Sequence, residues 1–278
     1  MIEVKDLAKS FGEIQAVQGL DFSIEKGEIV AFLGPNGAGK TTTMRMMAGY
    51  LPPSSGSVTI GGHDVFKAPL PAKRKIGYLP EHPPLYDTMK VGAYLKYVAR
   101  LHGVPAGKVR EVIEREIERC GLKDQARRVI ANLSKGQRQR IGLAQALVHD
   151  PEVLILDEPT IGLDPMQIRE IRDLVKGLGE ARTVILSTHI LPEAQQVCDR
   201  VLIINRGRLV LDSKMGSLLE EEGKTLEDVY SGIMLQDVGA PADGDGGSTT
   251  AAEPEGGPAT PKPEPGGEGA GGKELSDA

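Results

Sequence analysis

The sequence predicts an α/β fold built on a mostly parallel β-sheet. Three observations carry this prediction: short β-branched segments alternate with helical patterns, two of those segments are apolar at nearly every position, and a glycine-rich loop joins a strand to a helix. Strands buried on both faces of a parallel sheet form continuous apolar runs, and alternating strands and helices are typical of α/β architectures. With 278 residues and 40% hydrophobic positions, the chain can bury one or two domains.

The elements follow from the spacing of apolar residues. Residues 1–11 and 13–25 alternate apolar with polar positions, which predicts an N-terminal antiparallel β subdomain. Further strands are expected at 28–33, 57–62, 153–157, 183–188 and 200–210, with helices after Lys40, at 166–179 and at 192–199. The strands at 153–157 and 183–188 are expected to be buried and parallel because both of their faces are apolar.

The segment from about 85 to 150 is helical in pattern and predicts a helical subdomain inserted into the α/β core. Val91, Leu95 and Val98 fall on one face of a helix, as do Ile113 and Ile117 further along. We interpret both apolar stripes as core packing rather than as a cofactor site.

The C-terminal stretch, residues 237–278, is predicted to be a disordered, acidic, Gly- and Pro-rich tail that follows a folded domain over 1–236. Residues 239–278 contain 11 Gly, 6 Pro, eight acidic residues and two lysines, and lack the apolar side chains that would offset ordering entropy. A solvated tail without a specific role is the simpler interpretation, and an interaction tail is the alternative. The rest of the chain holds 31 acidic and 31 basic residues, so no nucleic-acid partner is expected.

The nine residues "GPNGAGKTT" form the strongest chemical signal in the chain. They match the pattern GxxxxGK[ST] between a predicted strand and a predicted helix, which is the context of a phosphate-binding loop and hence of a P-loop NTPase core. Backbone N–H groups and the helix N-terminus bind phosphates, Lys40 reaches the β- and γ-phosphates, and the Thr41 hydroxyl binds Mg²⁺. The predicted nucleotide contacts are Gly34, Pro35, Asn36, Gly37, Ala38, Gly39, Lys40, Thr41 and Thr42.

Two adjacent carboxylates end the buried strand at 153–157. Asp157 is predicted to hold Mg²⁺ beside the phosphate loop, and Glu158 is predicted to orient and polarise the water that attacks the γ-phosphate. A pair of acids at a strand end is otherwise a solvated turn, but the complete phosphate loop upstream favours the catalytic interpretation.

Five motifs in this order resemble those of the ATP-binding subunits of ABC transporters: "GPNGAGKTT", "LSKGQ", "LILDEPT", "GLDP" and "STH". The resemblance covers about residues 1–235 and implies a head-to-tail dimer with two ATP molecules between the chains. Ser134 and Gly136 start a predicted helix suited to an oxyanion. The resemblance implies that they, with Gln137, contact the ATP held by the phosphate loop of the other chain.

The resemblance assigns further residues one by one. His189 is similar to the switch histidine that contacts the γ-phosphate, although a lone histidine is more often structural. Asp164 is similar to the residue that links the two active sites. Phe11 is similar to the aromatic that stacks on adenine, although a Phe beside a strand is often part of the core.

Two positions depart from the family pattern. Glu81 stands where a glutamine is usual; a glutamate can still ligand Mg²⁺, but it adds negative charge beside Asp157 and Glu158. Lys135 replaces the middle glycine of the family's signature segment, which is "LSKGQ" at residues 133–137 here. We expect Lys135 to leave the turn intact and to place its ammonium near phosphate. The stretch "YLPEHPPLY" resembles cassettes of the type 2 exporter class, including those of gliding motility and drug efflux.

The resemblance implies an ATPase that uses ATP and Mg²⁺ and powers transport, in the export direction, by a separate integral membrane permease. The chain has no apolar run of the 18 to 20 residues or so that a membrane span needs. We therefore expect a peripheral subunit at the cytoplasmic face of the membrane, working as a homodimer or a cassette heterodimer. The alternatives are a soluble ATPase of the same superfamily in translation or DNA repair, and a nucleotide-binding switch that does not hydrolyse ATP.

Overall fold

The structure, a computed structural model, describes residues 1–220 and 225–238. Within these ranges, ten strands form two sheets. The first sheet is antiparallel, with the order β2-β1-β4-β5. Its strands are β1 (Ile2–Phe11), β2 (Ile14–Ile24), β4 (Ser55–Ile60) and β5 (His63–Asp64). The prediction of an N-terminal antiparallel β subdomain is confirmed, and the strand expected at 57–62 is shifted by two residues because Gly61 and Gly62 form the turn into β5.

The second sheet has the order β10-β9-β3-β8-β7-β6 and is parallel except for its β10-β9 edge pair. Its strands are β3 (Ile29–Leu33), β6 (Ile76–Leu79), β7 (Val153–Asp157), β8 (Thr183–Thr188), β9 (Arg200–Asn205) and β10 (Arg208–Lys214). All residues of β3, β7 and β8 are buried. This confirms the buried parallel strands that the continuous apolar runs predict.

Helices connect these strands and confirm the α/β fold class. In the described residues they are α1 (Lys40–Met47), α2 (Pro69–Arg74), α3 (Val91–Leu101), α4 (Val109–Arg119), α5 (Lys135–Leu147), α6 (Pro165–Gly179), α7 (Leu191–Val197), α8 (Met215–Glu220) and α9 (Leu226–Val238). The helices α3, α4 and α5 lie between β6 and β7 along the chain, within the stretch where the sequence predicts helices. No helix in the described part of the chain is long and apolar enough to cross a membrane.

The prediction of a single strand over 200–210 is wrong, because the structure has a β-hairpin there. β9 and β10 pair antiparallel on either side of Arg206 and Gly207. Both turn residues have positive φ values, 45° and 78°, which is the backbone of the two-residue turns whose twist matches paired strands. The sequence "INRG" carried this turn signal inside an apolar run. The predicted tail falls almost entirely outside the described residues; its first two positions end α9.

The parallel sheet lies between two apolar cores. Alternate residues of β7 face opposite ways: Leu154 and Leu156 belong to the core shared with α3, α4 and α5, whereas Val153 and Ile155 belong to the core shared with the antiparallel sheet. A strand covered on both faces must be apolar at successive positions. Polar residues end two of these strands: Asp157 in β7, and Ser187 and Thr188 in β8. They lie at the edge of both apolar cores.

Candidate functional site

The phosphate loop joins β3 to α1 and takes a backbone shape that only glycine allows at Gly39. Gly37 and Gly39 have φ values of 80° and 102°. A Cβ atom on Gly39 would lie 2.5 Å from the backbone oxygen of Ala16, on the strand β2 of the other sheet. The loop is therefore shaped both by its own glycines and by close contact with a distant strand.

Lys40 is the buried cation of this loop. Its Nζ atom donates to the backbone oxygen of Gly34 at 2.8 Å and to that of Pro35 at 3.2 Å. The same Nζ lies 3.7 Å from Oε1 of Glu158, and both side chains are less than a tenth exposed. The ammonium is thus held where the loop meets the catalytic carboxylate that the sequence predicts.

Asp157 lies against the start of α1, as a metal-binding carboxylate would. Its Oδ1 atom accepts hydrogen bonds from the Thr41 hydroxyl at 3.2 Å and from the Ser187 hydroxyl at 2.7 Å. Burial raises the pKa of the Asp157 carboxyl, the hydrogen bonds from Ser187 and Thr41 oppose that shift, and the nearby charge of Glu81 adds to it. The Oδ2 atom is buried and has no hydrogen-bond partner among the described residues.

The donor set fits a magnesium ion that is delivered with a nucleotide. A buried carboxylate oxygen without a partner is costly, and a divalent cation bound through it would remove that cost. Within the described residues no group of three or more His, Cys, Asp or Glu side chains is placed to hold a metal. Mg²⁺ typically keeps several waters and uses one or two carboxylates plus substrate phosphates, so Thr41 and Asp157 suffice as protein ligands.

Glu158 has a constrained backbone and lies beside a lysine and a histidine. Its φ is 47°, a left-handed value that is uncommon outside glycine. Its N–H donates to the hydroxyl of Ser187 at 2.9 Å and to the backbone oxygen of Ser187 at 3.2 Å. Its Oε2 atom lies 2.9 Å from Nδ1 of His189. The carboxylate is therefore fixed between His189 and Lys40, as a positioned base requires.

A cleft of about 700 Å³ opens in front of these groups. It lies beyond the carboxyl ends of the parallel strands, which is where ligands bind in open α/β sheets. Glu81 lines this cleft and its Oε1 atom lies 3.7 Å from Nδ1 of His82. The residues that line the cleft are Ala16, Pro35, Asn36, Gly37, Gly39, Lys40, Thr41, Thr42, Glu81, Glu158, Ile161 and His189.

The signature segment lies outside this cleft. Ser134 is an exposed N-cap residue: its hydroxyl accepts from the N–H of Gln137 at 3.3 Å, and its own N–H donates to the Gln137 side chain at 3.1 Å. This capping box starts α5. Gly136 is buried against α6, since a Cβ atom there would lie 2.4 Å from Oε1 of Gln167.

Lys135 leaves the turn intact, as the sequence predicts. It occupies the first position of α5, and its side chain is exposed. Its ammonium lies over Gly162 of the same chain, where a Cβ atom on Gly162 would be 2.2 Å from Nζ. Within one chain this side chain therefore covers the loop before α6.

Asp164 and Phe11 are also not among the residues that line the cleft. Asp164 caps α6, because its Oδ1 atom accepts from the N–H groups of Met166 and Gln167 at 3.0 and 2.9 Å. Phe11 ends β1, is 49% exposed, and has the ammonium of Lys9 at 5.3 Å from its ring centre. An exposed aromatic is available for stacking, whereas a core residue would not be.

The structure thus divides the predicted site residues into two groups. Residues 34–42, Glu81, Asp157, Glu158 and His189 surround one cleft or contact its walls. The second group does not line this cleft and consists of Phe11, Ser134, Gly136, Gln137 and Asp164.

The sequence analysis did not identify the polar residues that hold Asp157, Glu158 and the adjoining turns in place. The Ser187 hydroxyl bridges Asp157 and the backbone of Glu158. The carboxyl of Glu193 accepts from the hydroxyls of Thr160 and Thr188. The available signal was the change from apolar to polar in "VILSTH", at the end of a strand that is otherwise buried on both faces.

Three comparisons agree with this geometry. A family model described as ABC transporter matches residues 17–161. The chain is 40% identical over 222 residues to the uncharacterized ABC transporter ATP-binding protein YxlF of Bacillus subtilis (strain 168), covering 80% of this chain and 74% of that protein. It is 38% identical over 229 residues to the bacitracin transport ATP-binding protein BcrA of Bacillus licheniformis, covering 82% and 74%.

A similar arrangement occurs among solved structures. The fold resembles the dimeric structure of a post-hydrolysis state of the ATP-binding cassette MJ0796 bound to ADP and Pi, with a TM-score of 0.71 and 25% sequence identity. The match covers 77% of this chain and 99% of that one.

Proposed function

This chain belongs to the ABC transporter family of ATP-binding proteins and is an ATPase, and we propose that two copies close around ATP to power export by a separate membrane permease. The relatives described above are transporter ATP-binding proteins, and neither is named for translation or DNA repair. The observation that carries the catalytic part is at Asp157: its Oδ1 atom accepts from the Thr41 hydroxyl, and its buried Oδ2 atom has no partner among the described residues.

The phosphate loop binds and orients the nucleotide. Backbone N–H groups at Gly37 and Gly39 and the N-terminus of α1 bind the phosphates, and Lys40 adds a buried positive charge at the β- and γ-phosphates. Thr41 and Asp157 would hold Mg²⁺, which would supply positive charge to the nucleotide's phosphates. Glu81 adds a carboxylate to the same cleft.

Glu158 acts on the attacking water. Its carboxylate orients the water toward the γ-phosphate and accepts a proton from it. Through Nδ1, 2.9 Å from Oε2 of Glu158, His189 fixes the direction of that carboxylate, and its half-exposed ring contacts the γ-phosphate. The Ser187 hydroxyl fixes Asp157 relative to Glu158, because it donates to the carboxylate of Asp157 and accepts from the N–H of Glu158.

A second copy completes the site. Ser134, Gly136 and Gln137 present a helix N-terminus that does not line the cleft of their own chain. In a head-to-tail dimer, that helix N-terminus supplies N–H groups and a hydroxyl to the γ-phosphate of the other copy. Asp164 then lies near the contact between the two copies, and Phe11 stacks on adenine.

Transport requires a membrane partner at the cytoplasmic face, where ATP is available. We place its contact beside Glu81, on the exposed aromatic surface of Tyr86 and Tyr97, which are 50% and 39% exposed. Exposed apolar surface of this kind is typical of interaction sites. Movements of Glu81 on ATP binding would then be transmitted directly to the membrane partner.

Cysteine cross-linking tests the two-copy site. Chains with Asn36→Cys and chains with Ser134→Cys are mixed with ATP and Mg²⁺ under mild oxidation; Cys120 and Cys198 are both buried. We expect a covalent dimer in the mixture only when ATP is present, with each variant alone as the control. A mixture that stays monomeric with saturating ATP would contradict the shared site.

Extraction of native membranes tests the partner. The full chain is tagged, isolated in mild detergent, and its companions are identified by mass spectrometry. We expect a protein with several apolar spans of about 20 residues each. A Tyr86→Ala, Tyr97→Ala double variant should lose that protein while its ATP binding is retained; retention of the membrane protein would contradict the assigned contact.

A further inference from the structure

A buried carboxyl contacts both of the chain segments that carry the catalytic residues Glu158 and His189. Glu193 lies in α7, just after His189, and is 5% exposed. Its Oε2 atom accepts from the Thr160 hydroxyl at 2.8 Å and from the Thr188 hydroxyl at 3.4 Å. Thr160 comes two residues after Glu158, and Thr188 comes directly before His189. We name these three residues the Glu193 cluster.

The cluster lies where the backbone needs restraint. Glu158 has a left-handed backbone, which persists only when the surroundings fix it. On the other segment, the Thr188 hydroxyl also accepts from the N–H of Ile190 at 3.0 Å, so it is held from both sides. A single carboxyl oxygen therefore connects the turn after β7 with the turn after β8.

We propose that Glu193 is a positioning residue for ATP hydrolysis, because its carboxyl joins these two turns and so keeps Glu158 and His189 at contact distance. The proposal rests on the roles assigned to those two residues under the proposed function. Glu193 itself lies behind the site, and it acts through Thr160 and Thr188.

The cost of this arrangement supports a role beyond packing. The Oε1 atom of Glu193 is buried and has no hydrogen-bond partner among the described residues. Burial raises the pKa of the carboxyl, and the hydroxyls of Thr160 and Thr188 oppose that shift. A buried acceptor without a partner is costly, and departures from such local rules concentrate at functional sites.

Glu116 provides a matched control. It is another buried glutamate, on α4, and its carboxylate is paired with Arg115 at 2.7 Å and Arg119 at 3.0 Å. Like Glu193, it should destabilise the fold when it is replaced by an apolar residue. It has no contact with the turns after β7 and β8 among its hydrogen bonds within the described residues.

The experiment compares Glu193→Leu, Glu193→Gln and Glu116→Leu in the full chain by steady-state ATPase assay and thermal unfolding. For Glu193→Leu we expect kcat to fall by about tenfold to a hundredfold while KM for ATP stays within about twofold, because small misplacements of catalytic groups are costly. Glu193→Gln keeps an acceptor for the threonine hydroxyls and should recover most of kcat. Glu116→Leu should lower Tm with kcat within about twofold of wild type.

Hydroxyl deletions test the path of the effect. Thr160→Val and Thr188→Val each remove one donor to Glu193, and we expect each to lower kcat by about threefold to tenfold. Added to Glu193→Leu, neither should lower kcat further, because residues that act as a unit are not additive. Additive losses would overturn the proposal.

Lys40→Ala separates failure of this inference from failure of the assigned site. If Lys40→Ala retains hydrolysis, the site is wrong. If Lys40→Ala abolishes hydrolysis while Glu193→Leu has wild-type kcat, the site stands and the positioning role is overturned. Equal losses of kcat and Tm in Glu193→Leu and Glu116→Leu would also overturn it.

Discussion

The phosphate loop and the signature segment are both glycine-containing helix starts, yet their surroundings differ completely. The loop before α1 is enclosed: Lys40 is buried, and Thr41 reaches Asp157, which lies 116 residues away along the chain. In the segment before α5, Ser134 is exposed, and its hydroxyl and N–H bond three residues ahead, to Gln137, in a capping box. The first helix start is shaped by tertiary contacts, whereas the cap of the second is formed by its own sequence.

From this difference we assign nucleotide binding to the phosphate loop and contact with a second copy to the signature segment. A loop that is shaped by distant residues is ready to bind a nucleotide within one chain, and its unpartnered Asp157 oxygen favours a cation there. The helix start before α5 is capped by its own side chains and leaves Ser134 exposed. An exposed helix N-terminus is suited to an oxyanion, which under the proposed function is the γ-phosphate held by a second copy.

The largest effect should come from the enclosed helix start. Lys40→Ala removes the buried charge at the phosphates, and we expect turnover to fall by about 10³-fold or more. Hydrolysis of radiolabelled ATP measures this. Lys75→Ala is the control, since Lys75 is partly buried and paired with Glu152 at 2.9 Å, away from the cleft. Turnover near wild type in Lys40→Ala would contradict the assigned site.

Glu158→Gln should be the next largest. Removing the base should lower turnover by about 10²-fold or more, because general bases contribute that much, while ATP stays bound. We expect a stable dimer in size-exclusion chromatography with ATP. The double variant Lys40→Ala, Glu158→Gln should remain monomeric, because ATP then has no site from which to join the copies. A monomeric Glu158→Gln at saturating ATP would contradict the shared site.

Ser134→Ala tests the exposed helix start and should have a moderate effect. We expect turnover to fall by about tenfold or more, because one hydrogen bond to a charged group contributes about 1.5 kcal/mol or more, with ATP binding by the monomer unchanged. The variant also loses an N-cap worth about 1 kcal/mol of stability. Thr225→Ala provides the matched control, because Thr225 caps α9 in the same way, accepting from the N–H of Asp228 at 3.2 Å.

Ser134→Ala and Thr225→Ala should therefore have similar Tm values but different turnover. Equal turnover in Ser134→Ala and Thr225→Ala would show that the signature acts only as a cap. Equal losses of ATP binding and turnover in Ser134→Ala would place Ser134 in the site of its own chain.

Removal of residues 239–278 should have the smallest effect. These residues carry a net charge of -6 and lie outside both helix starts. We expect turnover within about twofold of the full chain. The measurement is the ATPase rate of the truncated and full chains at equal concentration, and a large loss would assign the tail a role in the site or in assembly.

Much of the fold could be read from local patterns. The buried strands β7 and β8 lie at their predicted residues, because burial on both faces requires continuous apolar sequence. The hairpin of β9 and β10 was missed, because its turn residues lie inside an apolar run and the apolar pattern continues through them. The short strand β6 was also missed, since four residues give too little periodicity to tell a strand from a helix.

The candidate site was readable where its chemistry is local. The loop 34–42 and the pair Asp157 and Glu158 follow from residue types next to one another in the sequence. The supporting residues Ser187 and Glu193 do not, because their partners are brought together only when β7 and β8 pair and α7 packs behind them.

By itself, the sequence determined the fold class, the nucleotide chemistry and the order of the motifs, because each depends on residues close together in the chain. Only the tertiary structure decided that Lys40, Glu158 and His189 line one cleft, that Asp157 contacts its wall through Thr41, and that Ser134 lies outside it. That division depends on contacts between distant residues, whose free energy comes from the packing of both cores against one sheet.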